Sequence, residues 1–128
     1  MARAAAQVYA AGIRPDWWKL PPPDAAGWQA LAEVITRHDP HCRGVLLLGM
    51  EASEAQLQRG FIAAAGQSLC RGFAVGRSLF AEAAAAWFAG QLDDDGVVDD
   101  IAARYQRLIV LWCESRTGRT TTTQETTP

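Results

Sequence analysis

The chain has 128 residues, 49% of them hydrophobic and 20% charged, with a net charge of −2. That length allows one ordinary domain at most, and the balance fits a globular rather than a disordered class. Its twelve basic residues are scattered, so nothing predicts nucleic acid as a partner, and no apolar run reaches the roughly 20 residues of a membrane span.

Cys42, Cys70 and Cys113 are widely spaced and form no CxxC pair. They read as small hydrophobes in a reducing compartment rather than as a disulfide framework. Met1-Ala2-Arg3-Ala4-Ala5-Ala6 lacks the apolar core of a secretory signal, so a cytoplasmic location is expected.

In chain order, Ala2 to Ala11 predicts an alanine-rich helix ended by Gly12, with no strand before it to pack on. Ile13 to Leu20, between breakers that include Pro21-Pro22-Pro23, predicts a strand. Asp24 is placed to cap a helix from Ala25 to His38, whose Trp28, Leu31, Ala32 and Ile35 recur at helical spacing before Asp39-Pro40 stops it. Gly44 to Gly49 is a continuous apolar run, as a parallel strand covered on both faces requires. Ser53 and Glu54 open a helix to about Ala65, with Gly66 beyond it. Leu69 to Val75 predicts a strand, and Ser78 to Ala89 a helix ended by Gly90. Asp93-Asp94-Asp95 precedes a last helix from about Val97 to Cys113, where the helix dipole favours negative charge. A metal site is the other use of such a triplet, and none is expected here. That helix carries Val98, Ile101, Tyr105, Leu108, Ile109 and Trp112 as an apolar stripe. From residue 117 onward the chain turns threonine-rich and polar, which predicts a disordered tail over 117–128 behind a folded unit over 1–116.

Strands alternating with helices imply an α/β fold of right-handed parallel units. Three strands make a small sheet with two open edges, so the chain is expected either to be part of a larger barrel or to pair with a second copy.

Ligands of parallel α/β folds collect at the carboxyl ends of the strands. Those ends carry Lys19-Leu20, Leu48-Gly49-Met50 and Val75-Gly76-Arg77. A lysine closing an apolar strand after Trp17 and Trp18 is costly unless it reaches a polar cavity, where a neutral amine can attack a carbonyl. The ordinary alternative is a lysine whose stem covers a tryptophan while its ammonium reaches water. Gly49 and Gly76 let backbone approach a ligand, and Arg77 adds a planar fork of donors suited to phosphate at a helix start. Ordinary packing and a solvated arginine are the plain readings of the same residues. His38 and His41 lie at the amino end of a strand and are weak catalytic candidates, while the direction of Asp16 is open.

Pro15-Asp16-Trp17-Trp18-Lys19-Leu20, Arg43 to Gly49 and Arg71 to Phe80 together resemble a domain of uncharacterised function found fused behind 5-dehydro-2-deoxygluconokinase, the sugar kinase of inositol catabolism. That domain is similar to class I, tagatose-bisphosphate-type aldolases, which are TIM barrels. The resemblance implies that residues 1–116 form the last three βα units of a (β/α)8 barrel, strands six to eight, with a preceding and a terminal helix. It implies that Lys19 is the Schiff-base lysine and that Gly49, Gly76 and Arg77 bind the substrate phosphate. The implied activity is a carbon–carbon lyase acting, without a cofactor, on 2-deoxy-5-keto-gluconate 6-phosphate to give dihydroxyacetone phosphate and malonate semialdehyde. Pro21 stands where the family has an acidic residue, and Leu47-Leu48 where the aldolases have a serine. Strands one to five, the acid/base carboxylate and the kinase are not in this chain. The alternatives are a non-catalytic phosphate-binding or self-associating α/β module from a truncated gene, and a barrel isomerase using the phosphate site alone.

Overall fold

The computed structural model describes residues 1–118. These form a mixed α/β fold of five helices and one three-stranded parallel sheet. The elements in order are α1 (Ala2–Ala10), β1 (Trp17–Leu20), α2 (Ala25–His38), β2 (Gly44–Leu48), α3 (Glu54–Ala64), β3 (Cys70–Ala74), α4 (Arg77–Phe88) and α5 (Asp94–Thr117).

Local signals place most boundaries. The Asp24 carboxylate accepts from Gly27 N at 2.7 Å and starts α2. Ser53 and Gln56 form a reciprocal capping box at α3. The Asp93 carboxylate accepts from Gly96 N at 2.8 Å, so the acidic triplet opens α5 as a cap. Three element ends differ clearly from the sequence reading, α5 beginning at Asp94 rather than Val97. β1 starts only at Trp17, because Pro15 has no N–H to give a ladder and Ile13 stays exposed. α5 runs four residues past Cys113 to Thr117, with Gly118 as a left-handed C-cap. The expected tail otherwise falls on 119–128, outside the described residues.

The strand order is β1-β2-β3, the order of the sequence, with Lys19 level with Leu46 and Leu46 level with Gly72. Right-handed crossovers in that order put successive helices on one face. On that face Val45, Leu47 and Cys70 are buried, with Trp18, Leu20 and Phe73 packed against them. Trp17, Lys19, Leu46, Leu48, Gly72 and Ala74 alternate onto the other face and belong to no part of the core. A continuous apolar β2 therefore does not mean two covered faces within this chain. Gly44 has φ +136°, and a Cβ there would stand 2.6 Å from Leu69 O. Only glycine lets Val45 N reach that carbonyl at 2.8 Å.

The helix covering β3 is α5, not α4. Phe73 packs on Trp112 and Tyr105 with ring centroids 5.8 and 6.1 Å away, and Arg116 donates to Cys70 O at 3.5 Å. From Val98 to Arg116, α5 thus runs back along β3 from its carboxyl to its amino end. The shorter α4 is interposed between β3 and its covering helix, and packs on α5. The expected stripe on α5 is buried at Leu108 but open at Val98 and Tyr105, where an apolar groove of about 570 Å³ lies against Phe73 and Leu79.

At the other end, α1 packs on α2, and Tyr9 ties it to β1. The Trp18 indole donates to the Tyr9 hydroxyl at 3.0 Å, and His38 stacks on the same ring. Burial pushes the Tyr9 phenol above its ordinary pKa. No helix among the described residues is long and apolar enough to cross a membrane.

Phe61 joins the layers: it is fully buried between Phe73 and Trp112, at ring centroid distances of 5.0 and 5.3 Å. Phe61→Ala should cost about 3–5 kcal/mol of unfolding free energy in urea titrations. A loss below about 1 kcal/mol would mean that α3, β3 and α5 do not share this core.

Candidate functional site

Parallel strands in sequence order bring the loop after β2 and the start of α4 to one rim of the sheet. The two helices that begin there are treated differently by the sequence. α3 is capped by its own Ser53 and Gln56. α4 begins at Gly76 with no side-chain cap, and of its first turn Leu79 N bonds back to Gly76 O, so the N–H groups before it stand at the positive dipole end without a side-chain acceptor.

Arg77, the first residue of α4, donates to the carboxylate of Glu51. Glu51 belongs to the β2–α3 loop, where Met50 and Glu51 both take left-handed backbone, with φ of 49° and 63°. Two consecutive non-glycine residues there cost on the order of 1–2 kcal/mol each. The Arg77 and Glu51 side chains are 65% and 61% exposed, so their ion pair returns only about 0.2–1 kcal/mol. The loop is held in a costly shape for a weak contact.

Arg77 lines a cavity of about 630 Å³ between the starts of α3 and α4 and the middle of α5. Two more arginines line it, each already partnered. Arg104 reaches Glu82 and Asp100, both at 2.7 Å, and these hydrogen bonds raise its pKa further above the ordinary range. Arg107 meets Glu54 at 3.3 Å.

The expected site residues are partly brought together. Arg77 and Gly76 are adjacent and exposed at the start of α4. Gly49 is buried and lines a different, shallower cavity with Pro22, Pro23 and Gly60. Its tie to α4 is packing: a Cβ at Gly49 would come 2.8 Å from Val75 Cγ1 and 3.2 Å from Ser78 Oγ. Lys19 lies on the helix-free face, exposed, and lines neither cavity. It makes no hydrogen bond or ion pair among the described residues. Sequence reasoning missed Glu51, Arg104 and Arg107, whose pairings are non-local. It also passed over Ser78, whose buried hydroxyl has no hydrogen-bond partner among the described residues and lies against Gly49. A serine right after Gly-Arg at a helix start was the available signal.

The remaining candidates are structural or peripheral. Asp16 points outward and pairs loosely with Arg43 at 3.8 Å, and Asp94 accepts from the Trp87 indole at 2.8 Å. His41 N donates to Asp39, which closes the turn after α2. Burial raises the Cys70 thiol pKa and keeps it protonated, whereas Cys113 is exposed.

The two glycines at the rim differ in what they leave room for. A Cβ at Gly76, where φ is −124°, would meet Phe80 Cε1 at an ordinary 3.4 Å. Gly49→Ala should therefore destabilise by about 1–3 kcal/mol, the cost of overpacking, in thermal denaturation. Gly76→Ala should cost under about 1 kcal/mol, the scale of a weakened cap. Equal losses would mean that Gly49 is not wedged against Val75 and Ser78.

No curated protein and no solved structure matches the chain. Residues 1–116 match the family described as "Uncharacterized protein conserved in bacteria (DUF2090)". The chain belongs to that family.

Proposed function

We propose that the chain supplies strands six to eight of an aldolase-type (β/α)8 barrel acting on a phosphorylated keto sugar acid, 2-deoxy-5-keto-gluconate 6-phosphate, in inositol breakdown. The observation that carries this reading is α4 itself. An extra helix between the last strand and its covering helix, with an uncapped N-terminus at the carboxyl rim, is how α/β barrels commonly hold phosphate. Gly76 and Arg77 form that clamp, and Gly49 sets its spacing from the β2 rim. The one-sided sheet supports the same reading, since a closed barrel turns its helix-free face inward. Lys19 stands on that face.

In this role the Lys19 amine adds to the substrate ketone and loses water to give an iminium. The hydroxyl proton on the far carbon is taken up by a base from the rest of the barrel, and the carbon–carbon bond breaks. Its electron pair flows into the iminium to form an enamine, and malonate semialdehyde leaves. Protonation and hydrolysis then release dihydroxyacetone phosphate and restore the amine. The sugar kinase would supply the phosphate group, and the free thiols suit a cytoplasmic setting.

Incubation with dihydroxyacetone phosphate and borohydride should add the mass of the reduced adduct at Lys19. No adduct on folded protein, or one that persists in Lys19→Ala, overturns the Schiff-base role.

A second reading is a non-catalytic phosphate-binding or self-associating module. The two unpaired edges of the sheet, on β1 and β3, favour it, as does the exposure of Lys19. Sedimentation should then show association that grows with concentration. A sharp, concentration-independent monomer would remove the self-associating form of this reading.

A further inference from the structure

The sheet ends in two vacant edges whose strands point the same way, β1 on one side and β3 on the other. Resting on the self-associating reading above, we propose that the partner is a second copy of this chain, docked head to tail. The β1 edge and α1 of one copy lie along the β3 edge and α5 of the next, so that the parallel sheet runs on through the interface.

The receiving side is shaped for a strand with a helix behind it. Phe73 and Ala74 of the vacant edge, with Val75, form one wall of the apolar groove of about 570 Å³, and Val98, Ala102 and Tyr105 of α5 form the other. Val98 and Tyr105 are 63% and 48% exposed, although they line an apolar surface. Unpaired strand N–H and C=O groups beside an open apolar groove make a template for an added strand.

Direction and charge identify what fits there. α5 runs from the carboxyl to the amino end of β3, and α1, which leads into the start of β1, runs the same way. Continuing the sheet in parallel therefore sets α1 of one copy beside α5 of the next, with both helix starts at the carboxyl rim. Residues 93–100 hold five aspartates and no base, whereas residues 1–14 hold Arg3 and Arg14 and no acid. Asp93, Asp94 and Asp100 are engaged within the chain, by Gly96 N, the Trp87 indole and Arg104. Asp95 and Asp99 are exposed one turn apart, three residues before Val98 and Ala102, and make no hydrogen bond or ion pair among the described residues. Arg3, in the first turn of α1, is exposed and unpaired in the same sense. Docking brings these three unused charges together. Ala4 and Ala11, exposed on α1, leave room for the two helices to approach closely. An α1-to-α1 pairing would instead set like charges side by side.

Because the two surfaces differ, the contact is heterologous, and variants that block opposite sides must complement each other. The test is sedimentation of the full chain and two double variants at about 0.1 M salt. Val98→Arg with Asp99→Arg blocks the receiving side, and Arg3→Glu with Trp17→Glu blocks the entering side. All four residues are exposed and outside the core. The unmodified chain should associate, and each double variant alone should do so at least about tenfold more weakly. An equimolar mixture of the two should form a one-to-one complex, because one intact pair of surfaces remains; that complex also shows both variants to be folded. Should either double variant fail to fold, the single changes Asp99→Arg and Arg3→Glu repeat the comparison.

Two folded variants that fail to complement each other overturn the head-to-tail contact. So does loss of association in the Val98/Asp99 variant alone, the mark of a symmetric β3-to-β3 pairing. If the unmodified chain associates and neither variant weakens it, this interface fails while the self-associating reading stands. If the unmodified chain is a concentration-independent monomer, that reading fails with it.

Discussion

The structure depends on β2 being paired in parallel on both sides. Val45 and Leu47 are fully buried under the helices, while their backbones bond to β1 and β3 at once. Parallel neighbours require long crossovers, and with strand order equal to sequence order the crossovers have one hand and place their helices on one face. The placement of every candidate site residue follows from that geometry. It gathers the β2–α3 loop and the α4 start at one rim, where Glu51 can meet Arg77, 26 residues away in sequence. It also leaves the opposite face, with Lys19, without helices among the described residues.

The elements legible in the sequence are those with local punctuation. α2 runs over the expected residues because Asp24 starts it and Asp39-Pro40 stops it, and α3 because Ser53 and Gln56 close a capping box. Element ends without such signals moved: Pro15 trims β1 and helix-forming residues carry α5 on to Gly118. The exchange of roles between α4 and α5 was not legible at all. Both follow β3 and both are apolar, and which one covers it is decided by Tyr105 and Trp112 finding Phe73 and Phe61, contacts that span more than thirty residues. Periodicity reports that a helix has a buried face, not which strand receives it.

The site was legible at a similar depth. A glycine and an arginine at a helix start announce an anion-friendly turn from sequence alone, and Arg77 and Gly76 are found together there. The partner of Arg77 was hidden, because an ion pair across two loops leaves no spacing to read. Gly49 looked like a second ligand contact, and its closest constraints are instead Val75 and Ser78. Lys19 could be assigned to a strand but not to a face, since Trp17-Trp18-Lys19-Leu20 has apolar residues on both sides of the alternation.

The two helix starts at the rim form an internal control on what the site is for. They share a sheet edge and a solvent, yet one start carries a reciprocal side-chain cap and the other carries none. With glycine at position 76, the missing side-chain cap forgoes only roughly a few tenths of a kcal/mol relative to a serine there. A serine is in fact present two residues later, at 78, too far into the helix to cap it and buried without a partner of its own. The neighbouring loop adds left-handed backbone at Met50 and Glu51. An uncapped helix end, an unpaired buried hydroxyl and a costly loop are three local losses within one small region, while α3 beside them carries none. On the phosphate reading proposed above, a ligand rather than the chain would complete these interactions.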